Sequence, residues 1–252
     1  MANQPDESVG QTETASPTYG AATAKMVNSI FAEGVDRCVL LLRHSAREYR
    51  RDVHDLVNPL TDEGRVLARQ FGQALPDVAL RGYSSPAGRC IETAECAFVG
   101  AMSREGFSSN VLAKVRPLES LGVFYALDQI RMWKGLSQSQ GLAAYVRSWF
   151  DQQIPRAVMM NPYRAVAMLL DTLVDKLDAS PLQSATRQLD LCVSHDMTVF
   201  TVRHGVGLQS VEEQPVNFLD GLALFRQDGQ LVMCSQYGSR VVITDHLLAH
   251  SQ

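Results

Sequence analysis

The sequence predicts an α/β fold, a three-layer α/β/α sandwich built on a mostly parallel sheet and carrying a helical cap insertion. Three observations point to this class: an unbroken apolar run at residues 38–42 and a largely apolar one at 189–194, helical spacings after each, and strand-type segments alternating with helices along the chain. An apolar run without polar interruption suits a strand covered on both faces, which a helix layer on each side provides. With 252 residues, 46% of them apolar and 20% charged, the chain can bury a full core.

Residues 1–22 are rich in Gln, Thr, Ser, Pro, Gly and Ala and hold almost no large apolar group. They cannot repay the entropy of ordering and read as a disordered tail ahead of one domain at 23–252. Apolar spacing over residues 26–34 predicts a short helix, followed by the strand Cys38-Val39-Leu40-Leu41-Leu42, which ends in Arg43-His44. Thr61 then caps a helix whose first turn carries Asp62 and Glu63, and which runs to about Leu75. Gly82-Tyr83-Ser84-Ser85 reads as a second strand, and Pro86 at the first helical position opens a helix through Phe98. Residues 103–188 read as the helical insertion, with helices around 141–151 and 163–177. After it, Leu189 to Ser194 forms a strand ending at His195, a helix follows over about 197–206, and strands at 222–225 and 231–235 flank the turn Asp228-Gly229.

Composition excludes several classes of function. A formal net charge of -4 supplies no basic face for nucleic acid, so any bound anion must be held locally. The five cysteines are an odd number without CxxC spacing, and Cys38, Cys192 and Cys234 lie in apolar runs. That pattern suits reduced, buried thiols, and Cys90 and Cys96 on one helix suit packing. The N-terminus has no charged region followed by an apolar one, and no apolar run reaches a membrane span, so a cytoplasmic protein with no membrane partner is expected.

In open α/β sheets, ligands gather beyond the carboxyl ends of the strands. The first strand delivers Arg43, His44 and Arg47 there, the second Ser84, Ser85 and Arg89, and the third His195 and Asp196. Arginine forks suit phosphate oxygens, and positive neighbours favour a neutral, nucleophilic imidazole at His44. Phosphoryl transfer needs chiefly positioning and charge neutralisation, so no metal or cofactor is required. Asp196, next to His195, is the first candidate for general acid.

Here the motifs become specific. Leu42-Arg43-His44-Ser45-Ala46-Arg47 resembles the nucleophile motif of the histidine phosphatase superfamily, which includes phosphoglycerate mutases and histidine acid phosphatases. Leu60-Thr61-Asp62-Glu63-Gly64 resembles the helix that follows it, the block from Ser84 to Ala94 the second arginine block, and Val193-Ser194-His195-Asp196 the second histidine block. The resemblance implies a phosphohistidine on His44 and a phosphate pocket of Arg43, Arg47, Arg89 and His195, with substrate choice made by the insertion. Two departures stand out. Ser45 replaces the usual glycine, and the asparagine typical of the mutase branch is missing, while Arg47 and His195-Asp196 are closer to the acid phosphatase branch. Arg116-Pro117-Leu118-Glu119 nevertheless resembles the mutase-type acid block, which makes Glu119 a rival to Asp196.

Bland readings cover the rest. His54, His204, His246 and His250 read as structural or surface residues; the i, i+4 pair His246 and His250 lacks a third metal ligand. Adjacent Ser194, His195 and Asp196 cannot form a relay triad. Arg131, Trp133 and Lys134 suit either substrate contact or an exposed amphipathic stretch, and Arg50 and Arg51 suit a solvated loop. The expectation is a phosphatase acting on a small phosphorylated substrate or a phosphoprotein; the alternatives are a phosphomutase and a catalytically weak phosphate-binding scaffold.

Overall fold

The computed structural model describes residues 19–48, 57–183, 185–244 and 247. Helix α1 (Ala21–Ala32) precedes strand β1 (Arg37–Arg43), and α2 (Asp62–Ala74), β2 (Ala79–Ser84), α3 (Gly88–Met102) and β3 (Val111–Pro117) follow. A 3₁₀ turn at Glu119–Leu121 leads to α4 (Gln129–Gln138), α5 (Leu142–Phe150) and α6 (Pro162–Asp178). The chain returns through β4 (Gln188–Ser194) and α7 (Asp196–Gly205) and ends in β5 (Gly221–Gln227), β6 (Gln230–Ser235) and β7 (Arg240–Val242).

The seven strands form one sheet in the order β3-β2-β4-β1-β5-β6-β7. The α/β class is as expected, but the sheet is parallel only on one side. Three pairings, among β1 to β4, are parallel, and the three that add β5, β6 and β7 are antiparallel. For the β5–β6 pair the cause is visible in the turn. Asp228 (φ 50°) and Gly229 (φ 78°) both adopt left-handed backbone, the geometry of a two-residue hairpin, and such a turn joins only antiparallel strands.

Both faces of the parallel half are covered, as the unbroken apolar runs require. Along β1, Cys38, Leu40 and Leu42 enter the core shared with α1 and α3, while Val39 and Leu41 enter the opposite core shared with α6 and α7. Burying such strands on two sides contributes about 1.5–3 kcal/mol per large side chain.

Several boundaries differ from the expectation. Helix α1 begins at Ala21, inside the stretch read as tail, because Ala24, Val27, Ile30 and Phe31 form a buried stripe at helical spacing. Residues 1–18 lie outside the described residues. Pro86 precedes the helix it was expected to open; Ala87, in extended backbone, is the cap, and α3 runs on to Met102. The insertion is not wholly helical, since β3 joins the sheet beside β2, and α6 packs against β1 and β4 as a layer helix. β3 is an edge strand with one buried residue, Val115, so its side chains lack a clean alternation.

Two structural devices escaped the sequence reading. Arg81 donates from Nε to Asp190 Oδ1 (2.7 Å) and from Nη2 to Oδ2 (2.9 Å), a buried bidentate pair that Gln188 completes from Nε2 (2.9 and 3.1 Å). Glycines also let backbones meet. A Cβ at Gly72 would lie 1.8 Å from the Ala97 carbonyl oxygen, and one at Gly100 would lie 2.0 Å from that of Arg69, so α2 and α3 are in direct backbone contact. All five cysteines are buried free thiols.

Candidate active site

The carboxyl ends of β1, β2 and β4 are level. Arg43 pairs with Ser194, and Ser84 with Val193. The ladder then continues one step beyond the strands, with His44 N–H donating to the Ser194 carbonyl (3.0 Å) and Ser85 N–H to that of Val193 (2.8 Å). His44, Ser85 and His195 therefore emerge side by side from rigid backbone. The two imidazoles meet edge to face, with ring centres 5.7 Å apart.

Each ring has a defined orientation. His44 Nδ1 lies 2.7 Å from the Ser45 carbonyl, which can only accept, so Nδ1 carries the proton and Nε2 presents a lone pair. That lone pair accepts from Arg89 Nε (3.2 Å). Arg89 Nη2 reaches His195 Nδ1 (3.3 Å), leaving His195 Nε2–H to donate to Ser85 Oγ (2.9 Å). One guanidinium thus spans both histidines. Burial, more than any charge, pushes the His44 imidazole well below its usual titration range, with Arg89 and then His195 adding to it. The positive neighbours invoked from the sequence act in the expected direction but come second.

The loop after His44 is fixed from beneath. Ser45 N–H donates to Thr93 Oγ1 (3.1 Å), and Ser45 Oγ donates to the Gly64 carbonyl (2.8 Å). A Cβ on Gly64 would sit 2.0 Å from the Ala46 carbonyl oxygen, so only glycine admits this approach of α2. Ser45 has ordinary negative φ, which explains why a residue with a Cβ is accommodated there.

A cleft of about 700 Å³ opens over these groups. His44, Arg47, Ser85, Arg89, Glu119, His195 and Asp196 all line it. Arg43 does not. Its guanidinium instead pairs with Asp196 Oδ2 (3.1 Å), donates to the Val216 carbonyl (2.5 Å) and stacks 4.3 Å above the Phe218 ring. The other Asp196 oxygen accepts from Met197 N–H (2.7 Å) at the start of α7. Asp196 is therefore committed on both oxygens and makes no triad with His195.

Glu119 differs. The Leu118 N–H donates to the Ser84 carbonyl (2.8 Å) and Ser194 Oγ to the Leu121 carbonyl (2.6 Å), which ties the 3₁₀ turn to the tips of β2 and β4. The exposed Glu119 carboxylate has no ion pair or hydrogen bond among the described residues.

Of the remaining sequence candidates, Trp133 lines the cleft, while Arg131 pairs with Asp128 (3.5 Å) and His204 packs on Phe150 with centres 4.6 Å apart. His54, His246, His250, Arg50 and Arg51 lie outside the described residues. Ser84 is buried below the site, its hydroxyl without a partner. Phe218, Thr93 and the cap wall apart from Trp133 were missed. Gln129, Met132, Trp133 and Leu136 on α4 all face the cleft, and their i, i+3, i+4, i+7 spacing was the available signal. Among the described residues no three His, Cys, Asp or Glu side chains group as metal ligands, and no helix is long and apolar enough to cross a membrane.

The arrangement brings two imidazoles and two arginines together in one cleft, and a family model matches part of the chain. Residues 39–101 match the histidine phosphatase superfamily (branch 1), a segment that holds His44, Arg47 and Arg89. The resemblance carried by the motifs is thus shown for that segment. Among solved structures, the chain is similar to phosphoglycerate mutase from Bacillus anthracis str. Sterne, with 16% identity over 87% of this chain and 99% of the other and a TM-score of 0.47. It is also similar to YhfR of Bacillus stearothermophilus, with 18% identity, coverage of 86% and 100% and a TM-score of 0.48. A third is the putative phosphohistidine phosphatase SixA from Agrobacterium tumefaciens, with 14% identity, coverage of 83% and 96% and a TM-score of 0.40. No curated protein sequence matches the chain.

Proposed function

We propose that the protein hydrolyses phosphomonoesters through a phosphohistidine on His44. The observation that carries this reading is the orientation of His44: Nδ1 is anchored on the Ser45 carbonyl, and the Nε2 lone pair is aimed at the arginine cluster in the cleft. Incoming phosphate draws the Arg89 donors onto its oxygens, with Arg47 and His195 adding charge and hydrogen bonds, and releases Nε2 to attack phosphorus. The N–P bond forms as the ester O–P bond breaks. Water then attacks phosphorus, the N–P bond breaks, and inorganic phosphate leaves with His44 neutral again.

The leaving alkoxide takes its proton from Glu119 in this scheme. A proton donor must be free to reach the leaving oxygen, and both Asp196 oxygens are already engaged, by Arg43 and by the start of α7. Glu119 has no ion pair or hydrogen bond from its carboxylate among the described residues, and it lines the same cleft. In the second step its carboxylate accepts a proton from the water.

The test is turnover of p-nitrophenyl phosphate in excess EDTA by the native protein beside His44→Ala, with acid-labile phosphoenzyme trapped during turnover. Turnover and trapping in the native protein alone support the proposal. Phosphate binding without turnover in either points to a scaffold, and isomerisation of a phosphoglycerate without release of phosphate points to a mutase.

A further inference from the structure

The cleft is divided chemically along its length. At its floor stand the histidines, Arg47, Arg89 and Glu119. Above them the walls are Val123, Phe124, Met132, Trp133, Leu136 and Leu142, drawn from the 122–126 loop, α4 and the start of α5. Of the residues lining the cleft, both arginines sit at the phosphate end. Among the described residues, the polar groups of the upper part are neutral, from Gln129 and Ser139.

This wall is built. Tyr125, fully buried below the loop, bonds Thr198 Oγ1 (2.9 Å) and stacks on Trp149 with centres 5.1 Å apart. Trp149 Nε1 donates to the Met160 carbonyl (2.6 Å), and Met160 N–H donates to that of Tyr125 (2.8 Å). The loop and α5 are thereby fixed to α7, and Met132 of α4 is buried in the same core. Trp133 keeps 44% of its surface exposed at this edge. A volume of about 700 Å³ suits a whole small molecule, within the range of roughly 300–1,000 Å³ for ligand sites.

We infer that the substrate's leaving group is an apolar chain or ring, an alkyl or aryl alcohol, seated in this chamber. The inference rests on the phosphatase reading for the phosphate end. A second anionic group, as in a phosphoglycerate or a bisphosphate, would leave its charge unpaired against Phe124, Met132 and Leu136 and lose its hydration for nothing. Each methylene moved from water into the chamber strengthens binding about fourfold.

The test separates the chamber from the chemistry. A series of n-alkyl phosphonates from two to eight carbons, whose P–C bond is not hydrolysed, is titrated against the intact protein by tryptophan fluorescence and calorimetry. The expected result is a dissociation constant falling about fourfold per carbon until the chamber is filled, with 2-carboxyethylphosphonate binding more weakly than butylphosphonate. Trp133→Ser and Leu136→Asn, checked for native circular dichroism, should cut the dependence below twofold per carbon. A flat series in the native protein, or preference for the carboxylate, overturns the inference. In parallel, hexyl phosphate and 3-phosphoglycerate are offered to the native protein and to His44→Ala. A length dependence without turnover of either ester defeats the phosphatase reading and leaves the chamber standing. Turnover with a flat series does the reverse, and failure of both defeats both.

Discussion

Replacing Gly64 with alanine tests whether α2 and the nucleophile loop are held in register by backbone contact. The new Cβ would lie 2.0 Å from the Ala46 carbonyl oxygen and 2.9 Å from its carbon. A tolerable C···O distance is about 3.3 Å, so one partner must move by more than about 1 Å. Helix α2 cannot retreat freely, because Gly72 and Gly100 already seat it against α3, where added Cβ atoms would lie 1.8 and 2.0 Å from carbonyl oxygens. The displacement falls on Ser45 and Ala46, and the Ser45 Oγ bond to the Gly64 carbonyl (2.8 Å) goes with it. Overpacking of this kind costs about 1–3 kcal/mol, and a shift of order 1 Å at a reacting group costs about 10²-fold in rate. The sign is informative, since alanine in a helix without a clash would add about 1 kcal/mol. Urea unfolding and kcat for p-nitrophenyl phosphate read the two effects. Gly88→Ala, which meets nothing within 4 Å, is the control and should be neutral or stabilising. A Gly64→Ala protein as stable and as active as the native one would refute the reasoning.

Other expectations follow from the same geometry. The fold keeps His44 neutral well below pH 6.5, where the unfolded chain protonates it. Its contribution is therefore complete above that pH and is lost as the pH falls, by at most about 1.4 kcal/mol per pH unit. Urea midpoints at pH 7.5 and 5.0 should show His44→Asn losing less stability than the native protein over that interval. Glu119→Gln should slow turnover of alkyl phosphates by about 10²–10⁴-fold while sparing p-nitrophenyl phosphate, whose leaving group needs no proton. Asp196→Asn should show no such dependence on the leaving group, and the opposite result would restore Asp196 as the acid. Asp190→Asn leaves Arg81 buried without its charge partner and should cost about 3–5 kcal/mol in chemical denaturation. Arg81→Met with Asp190→Leu should recover most of that loss.

The parts of the fold that could be read from the sequence are those where one residue's chemistry suffices. Thr61 as a cap is such a case, its side chain accepting from Gly64 N–H (2.9 Å). The apolar runs of β1 and β4 are others. Edge strands resisted reading, because β3 and β7 bury only one face or less and their sequences carry no alternation. Within the site, His44, Arg47, Arg89 and His195 announced themselves by following strand ends, whereas the diversion of Arg43 toward Asp196 and Phe218 depends on residues about 150 and 175 positions away. Such pairing is a property of tertiary placement. Residue type suits both Glu119 and Asp196 as acid, and the pairing of Asp196 with Arg43, which the sequence does not show, is what sets the two apart in the structure.

The position of β4 between β1 and β2 bears on how the molecule is made. β1 aligns with a strand about 150 residues further along, Arg37 opposite Gln188. A ribosome therefore releases His44 and Arg89 long before the strand that joins their neighbourhoods, and contacts so distant in sequence form slowly. Until β4 emerges, His44 at the end of β1 and Arg89 at the start of α3 are separated by a gap in the sheet where β4 belongs. The two groups come together only once β4 has been made.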